Sequence, residues 1–128
     1  MPIEKQLISS GAKWENMFGY SRAVKMGNLI EVSGTASVDE GKIIGINDVY
    51  KQTKFIIEKI EKALKEAGAT LNDVIRTRIY VTDISLQNEV GRAHAEFFGN
   101  IKPATSMVEV NALVLPELLV EIEATAYL

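Results

Sequence analysis

The chain has 128 residues and a formal net charge of −3 at pH 7, from 14 Lys and Arg against 17 Asp and Glu. This length predicts a single domain over residues 1–128, with a core large enough to need no disulfide or metal. The absence of cysteine excludes disulfide scaffolds, cysteine-ligated metals and thiol nucleophiles. The acidic balance disfavours nucleic-acid binding. No signal-peptide segment or membrane-spanning apolar run is recognisable, so we expect a cytoplasmic protein with no membrane partner.

The first regular elements along the chain form a predicted β-hairpin. Residues 20–26 and 29–33 are β-prone runs, and they flank a Gly-Asn pair that accepts the positive φ angles of a two-residue turn. Residues 42–46 predict a third short strand. Upstream, Trp14 stands in a polar segment that we interpret as a loop, with the indole either anchored over the core or lining a ligand cleft.

A long amphipathic helix follows and is the clearest element of the sequence. Asn47 or Asp48 can cap its first turn, and Gly68 suits the position just after its end. Its apolar side recurs at three- or four-residue spacing and forms one wide stripe. The stripe consists of Val49, Thr53, Ile56, Ile57, Ile60, Ala63, Leu64 and Ala67. We therefore expect this helix to pack on a sheet.

The next segments predict a strand and a second helix. Residues 74–81 alternate, which is typical of a strand with two distinct faces. One face carries Ile75, Thr77, Ile79 and Val81, and the other carries Arg76, Arg78 and Tyr80. A helix capped by Asp83 or Ser85 and ended by Gly99 then presents inward Val90, Ala93, His94 and Phe97. We interpret His94, the only histidine, as a packing or capping residue.

Two alternating strands complete the chain. The first presents Val108 and Val110 on one face, with Met107, Glu109 and Asn111 opposite. The second presents Val120, Ile122, Ala124 and Ala126, with Glu121, Glu123, Thr125 and Tyr127 opposite. The predicted order is β-β-(β)-α-β-α-β-β. Two helices cannot cover both faces of so wide a sheet, so we expect them to share one face and leave the other solvated or covered by another subunit.

The expected open face brings carboxylates together. Glu121 and Glu123 lie about 7 Å apart on one strand, and Glu109 can join them from the neighbouring strand. Such a cluster raises the pKa of its members towards the range of a general acid or base. A solvated face, or an ion network with Arg76 and Arg78, is the alternative. No phosphate-binding loop and no metal-ligand set is recognisable, so we expect no cofactor and no metal.

Six segments, in this order along the chain, resemble the RidA/YjgF family of reactive-intermediate deaminases: residues 19–24, 27–37, 63–83, 95–99, 102–110 and 118–126. The resemblance implies an α+β fold of the chorismate-mutase-like type, a mixed β-sheet with two helices packed on one face. It also implies a homotrimer with small-molecule clefts between neighbouring subunits. Members of its best-known branch hydrolyse 2-imino and enamine acids to 2-keto acids and ammonia.

The family's cleft residues carry over in part. The glutamate that orders the attacking water corresponds to Glu121. The tyrosine of the first hairpin and the Ser-Gly turn after the second strand correspond to Tyr20, Ser33 and Gly34. The arginine that grips the substrate carboxylate is replaced by Thr105, which cannot form the same bidentate pair.

Two further positions depart from the family, and two arginines are candidates to compensate. Met107 stands at the family's cysteine, and Gly91 stands at its helix asparagine. Arg22 or Arg92 could supply the missing positive charge through a fork of donors. Surface solubility is the alternative role for each of these arginines.

Three functions remain open at this point. The first is a hydrolytic deaminase of reactive imine or enamine metabolites, whose substrate is non-standard because of Thr105. The second is a non-catalytic small-molecule-binding or regulatory trimer. The third is an endoribonuclease or translation inhibitor, which the acidic charge balance disfavours.

Overall fold

The core of the protein lies between a six-stranded sheet and two long helices. The computed structural model describes residues 3–128, so the first two residues of the predicted domain lie outside the description. The strands are β1 (Lys5–Ile8), β2 (Ala23–Met26), β3 (Leu29–Ala36), β4 (Val38–Asp39), β5 (Lys42–Ile43), β6 (Val74–Val81), β7 (Ala104–Glu109) and β8 (Val120–Tyr127). The helices are α1 (Lys13–Phe18), α2 (Val49–Glu66) and α3 (Gln87–Phe98).

The large sheet is mixed, as the sequence predicts. Its strand order is β1-β2-β3-β8-β6-β7, and β4 with β5 forms a separate two-stranded ribbon. Neighbouring strands are antiparallel except β6 and β7, which α3 connects as a parallel pair. Helices α2 and α3 pack side by side, and α2 contacts the central strands β3 and β8. The predicted third strand over 42–46 is therefore shorter than expected and outside the main sheet.

Helix α2 begins at an aspartate cap. The Asp48 side chain accepts a hydrogen bond from the Lys51 backbone N–H at 3.0 Å, whereas Asn47 is a left-handed residue with φ of 60°. The buried stripe of the helix is the predicted one, extended by the fully buried Gln52. The Gln52 amide donates to the carbonyls of Gly45 and Glu117 and so joins two loops to the helix.

We expect Asp48→Ala to lower the free energy of unfolding by about 1 kcal/mol, because it removes an acceptor from the first turn of the longest helix. Urea unfolding followed by circular dichroism measures this change. Asp48→Asn is the matched control, since its amide oxygen still caps the helix. Equal losses of unfolding free energy in the two variants would show that loss of the helix cap is not the cause of the destabilisation.

The N-terminal segment contains two elements that the sequence analysis missed. Strand β1 pairs with the edge of β2, and it exposes Leu7 rather than showing a regular buried face. Trp14 lies in helix α1 rather than in a loop, and it is half-buried. Helix α1 has no side-chain cap, but its Glu15 is buried and accepts hydrogen bonds from the hydroxyls of Ser9 and Ser10.

Strand β6 contains a bulge that overturns one predicted position. Its register against β8 shifts between Val74 and Arg76. Ile75 falls at this irregularity and is 53% exposed instead of lying on the inner face. The rest of the predicted alternation is correct, because Thr77, Ile79 and Val81 are buried.

The two faces of β7 are the reverse of those expected. The parallel register with β6 places Met107 beside Ile79 under the helices and Val108 beside Tyr80 on the open face. Glu109 pairs with Val81 and accepts a hydrogen bond from the Ile84 backbone N–H at 2.9 Å. Glu109 therefore does not join the carboxylates of β8, as the sequence analysis expected.

Helix α3 begins later than predicted. Asp83 caps a short 3-10 turn, Ile84–Leu86, by accepting from the Ser85 backbone N–H at 2.9 Å, and α3 follows that turn. Phe98 is fully buried, whereas Phe97 is only partly buried against the core. Neither α3 nor any other helix within residues 3–128 is long and apolar enough to cross a membrane.

Candidate functional site

Glu121 lies at the centre of the open sheet face. Its strand β8 is flanked by β3 and β6, where its partners are Ala36 and Tyr80. The neighbours Val120 and Ile122 are fully buried beneath the helices, so the alternation of the strand directs Glu121 to the opposite side. The carboxylate is half-buried there.

Gly34 lies directly against the Glu121 carboxylate. The β3–β8 register shifts between Val32 and Thr35, which places Gly34 in a bulge. A Cβ atom at Gly34 would lie 3.0 Å from the Glu121 Cδ and would overlap Oε2. The backbone of Gly34 is not left-handed. This glycine is therefore required by the space that the carboxylate occupies, and not by its φ angle.

The buried side chain of Arg22 forms a hydrogen bond to the backbone of the bulge. Arg22 is buried, with only 7% of the residue exposed, and its Nη2 donates to the Gly34 carbonyl at 2.5 Å. The Nε–H is buried without a hydrogen-bond partner among residues 3–128. The Ser33 N–H donates to the Arg22 carbonyl at 3.0 Å, and the Ser33 hydroxyl donates to the Ser21 carbonyl at 2.6 Å. These contacts tie residues 21–22 to the bulge.

Tyr20 completes this cluster on its exposed side. The guanidinium carbon of Arg22 lies 5.8 Å from the centre of the Tyr20 ring, and Tyr20 is 38% exposed. The structure therefore brings together five of the predicted site residues within one chain. They are Tyr20, Arg22, Ser33, Gly34 and Glu121.

The electrostatics of the cluster suit proton transfer at Glu121. Burial raises the pKa of the Glu121 carboxyl, the charge of Glu123 raises it further, and the charge of Arg22 opposes both. Glu123 itself accepts a hydrogen bond from the Tyr80 hydroxyl at 2.9 Å, which raises the pKa of Tyr80. A carboxyl with a raised pKa accepts and returns a proton near neutral pH more readily than an ordinary glutamate does.

The remaining predicted site residues lie elsewhere in the chain. Thr105 and Met107 are on edge strand β7, two strands from β8 and on the helix side of the sheet. Arg92 is on α3, where its guanidinium carbon stacks 4.0 Å from the centre of the Tyr50 ring. Within one chain, none of these three residues meets Glu121.

Tyr80 faces the same side as Glu121 and Glu123, as the alternation of β6 predicts. Its hydrogen bond to Glu123 is a contact that the sequence does not reveal. The alternative of an ion network between Arg76 or Arg78 and the glutamates is not seen among residues 3–128. Among residues 3–128 the one ion pair within 4 Å joins Lys54 to Glu96, and Arg76 donates instead to the Ser106 hydroxyl at 2.7 Å. Nor do three His, Asp or Glu side chains of these residues come together as a metal site.

We expect Gly34→Ala to reduce any catalysis that depends on Glu121 by about 100-fold. The new methyl group must displace the Glu121 carboxylate, and displacements of about 1 Å carry penalties of this size. Initial rates with a substrate identified for the wild-type protein measure the effect. Gly91→Ala is the matched control, since a Cβ at Gly91 meets no atom within 4 Å. Equal rates for Gly34→Ala and the wild type would show that the contact with Glu121 does not matter.

Comparison with known proteins places the chain in a family. A family model described as endoribonuclease L-PSP matches residues 11–128. A crystal structure of a member of the YjgF/YER057c/UK114 family from Mycobacterium tuberculosis is 53% identical, covers 98% of this chain and 100% of that chain, and superimposes with a TM-score of 0.89. A RutC family protein from Pyrococcus abyssi is 42% identical over 84% of this chain and 85% of its own length.

A relative with a named activity is also similar to the chain. The 3-aminoacrylate deaminase RutC of Acinetobacter baylyi is 33% identical over 84% of this chain and 86% of its own length. The RidA/YjgF resemblance and the α+β fold predicted from the sequence are therefore confirmed. The chain belongs to the endoribonuclease L-PSP family, which is also called the RidA/YjgF family.

Proposed function

We propose that this protein is a hydrolytic deaminase of reactive imine or enamine metabolites. The observation that carries the proposal is the state of the Glu121 carboxylate. It lies half-buried against Gly34, and burial and the charge of Glu123 raise its pKa. The 3-aminoacrylate deaminase among the relatives supports the same reaction class, because 3-aminoacrylate is an enamine.

The proposed reaction needs only water and one group that moves protons. The Glu121 carboxylate accepts a proton from water as the water oxygen bonds to the imine carbon, and the proton passes to the imine nitrogen. The hydroxyl proton of the resulting carbinolamine then passes through Glu121 to the nitrogen. The C–N bond breaks as the C=O bond forms, which releases ammonia and leaves a carbonyl compound. An enamine first becomes an imine by protonation at carbon. A carboxyl whose pKa is raised serves both the accepting and the donating step.

We place the complete cleft between subunits of a homotrimer. Glu121 and Thr105 lie on opposite faces of one chain, so a neighbouring copy is needed to bring them into one cleft. The open sheet face also exposes Val108 and Tyr127, and a second copy would bury these apolar side chains. Sedimentation velocity tests this part of the proposal, since a protein that stays monomeric at micromolar concentration would contradict it.

The substrate of the proposed deaminase differs from an ordinary 2-imino acid. Thr105 replaces the arginine that the resemblance assigns to the substrate carboxylate. Arg22 does not compensate in the single chain, because its guanidinium is buried and donates to Gly34. Arg92 is stacked on Tyr50 in the helix layer. We therefore assign Arg22 to the support of the site, and we leave Arg92 outside it.

A panel of imines tests the proposal directly. Amino-acid oxidases generate the imines in situ, and their decay is followed with and without the protein. The panel includes imines that lack a free carboxylate. Accelerated decay of one or more imines is the expected result. A folded protein that accelerates none of them would favour the alternative, a trimer that binds a small molecule without turnover, which thermal-shift screening then tests.

A further inference from the structure

A buried threonine connects the only histidine to Thr105. Thr77 lies on β6 with none of its surface exposed. Its hydroxyl oxygen is 3.0 Å from the Nε2 atom of His94 on α3 and 2.7 Å from the hydroxyl oxygen of Thr105 on β7. Thr105 is exposed at the edge of the sheet. The three side chains therefore form a continuous polar path from beneath a helix to the surface.

The contacts around Thr105 give this path one direction. A threonine hydroxyl has a single hydrogen to donate. The Thr105 oxygen also lies 3.2 Å from the Pro103 carbonyl, which can only accept. All three contacts are satisfied together when His94 donates from Nε2 to Thr77, Thr77 donates to Thr105, and Thr105 donates to Pro103. In the reverse direction the Thr105 hydrogen is used on Thr77, and the Pro103 contact has none.

His94 is held in the position that this direction requires. Its ring packs against Phe98 with 4.6 Å between the ring centres. Burial lowers the pKa of His94, so near pH 7 the ring is neutral and carries one hydrogen. The path consequently contains no formal charge, and its outer end is a hydroxyl donor.

The hydrogen bond from Thr105 to the Pro103 carbonyl is the weakest of the three contacts in this path. A distance of 3.2 Å is long for a hydrogen bond between a hydroxyl and a carbonyl oxygen, where about 2.7–2.8 Å is usual. A carbonyl oxygen of a bound molecule can therefore replace Pro103 as the acceptor. A carboxylate at this point would lose its water without gaining a positive partner, whereas a neutral carbonyl would not carry that cost.

We infer that His94, Thr77 and Thr105 form a subsite that donates one hydrogen bond to a neutral carbonyl group of the substrate, such as a carboxamide. Thr105 contacts the substrate, and Thr77 and His94 are positioning residues that aim its hydroxyl. The inference rests on the proposed function, because it takes Thr105 to lie in the cleft with Glu121. It specifies the substrate as an imine or enamine whose second polar group is uncharged.

Binding of two stable carbonyl compounds tests the subsite without requiring turnover. 2-Oxobutyramide and 2-oxobutyrate are titrated into the full-length protein, and the dissociation constants are measured by NMR. We expect the wild type to bind the amide about tenfold more tightly. Thr105→Val should abolish this preference, and Thr105→Ser should retain it. Thr105→Arg should reverse it in favour of the carboxylate.

Thr77→Val tests the positioning role. Valine has nearly the shape of threonine, so the buried position stays filled, and thermal unfolding verifies that the fold is retained. We expect this variant to lose part of the amide preference and to shift the ring ¹⁵N signals of His94, whose Nε2–H then lacks its acceptor. A purely structural role for Thr77 would move neither quantity.

The outcomes separate the subsite from the deaminase. Amide preference that depends on Thr105 and Thr77 supports the subsite even when no imine is hydrolysed, and that combination overturns only the proposed reaction. Equal or tighter binding of the carboxylate by the wild type overturns the subsite, and so does undetectable binding of both compounds. Unchanged binding and unchanged His94 signals in Thr77→Val overturn the positioning role.

Discussion

Glu121→Gln is expected to reduce imine hydrolysis by about 10² to 10⁴-fold, the usual contribution of a general acid or base. The amide retains the size of the side chain and still fits against Gly34. It cannot accept a proton from water or return one to the departing nitrogen. Steady-state rates of imine decay, at equal concentrations of folded protein, measure the loss.

The same variant is expected to unfold at a higher temperature near pH 7. Burial raises the pKa of Glu121 in the folded protein. The stability that this group contributes is therefore fully present below its unfolded pKa and is lost as the pH rises through its folded pKa. At neutral pH the wild type carries a desolvated charge that the variant lacks. The difference in melting temperature should shrink as the pH falls through the folded pKa of Glu121 towards its ordinary value.

Glu123→Gln is the matched control for this pair of results. It removes the neighbouring charge while leaving Glu121 in place. Because the charge of Glu123 raises the pKa of Glu121, its removal should lower that pKa and move the acidic limb of kcat/KM to lower pH. Activity should remain within about tenfold of the wild type. Equal losses in Glu121→Gln and Glu123→Gln would contradict the assignment of the proton transfer to Glu121 alone.

Periodicity was sufficient to predict the elements that have one buried face. The predicted starts of helix α2 at Val49 and of strand β8 at Val120, and their predicted buried faces, agree with the structure. An apolar stripe has to face the core wherever the element lies. For strand β7, the prediction of which face is buried is wrong. The strand alternates regularly, but its register against β6 is set by the crossover through α3, and the local sequence pattern does not contain that information. The bulge at Ile75 is likewise a property of two paired strands.

The candidate site shows the same division between local and long-range information. The resemblance predicts Gly34 and Glu121 as site residues, and the structure places them in contact. That contact depends on the bulge in β3 and could not be inferred from either segment alone. From the sequence, Arg22 is a candidate to hold an anionic substrate group, with surface solubility as the alternative. Its burial follows from the way residues 21–22 are hydrogen-bonded to Ser33, which is a tertiary arrangement.

Arg22→Gln is expected to move the acidic limb of kcat/KM to higher pH. The Arg22 charge lowers the pKa of Glu121, so its removal leaves burial and Glu123 to raise that pKa without opposition. The protonated, inactive form of Glu121 then persists to higher pH. Arg22→Lys is the matched control, because it keeps the charge, and its limb should stay nearer to that of the wild type. The pH dependence of kcat/KM for both variants measures these shifts.

A substrate-binding role for Arg22 predicts a different result. Loss of an anion-binding arginine would raise KM for carboxylate-bearing imines alone and would leave the acidic limb in place, and this pattern would contradict the supporting role. Stability is a poorer test, because two effects of the substitution oppose each other. The Gly34 carbonyl loses its donor, which costs about 1–3 kcal/mol. Lys59, whose pKa is lowered by burial and by the charge of Arg22, is relieved of that charge. The pH profile at Glu121 is therefore the measurement that separates the two roles.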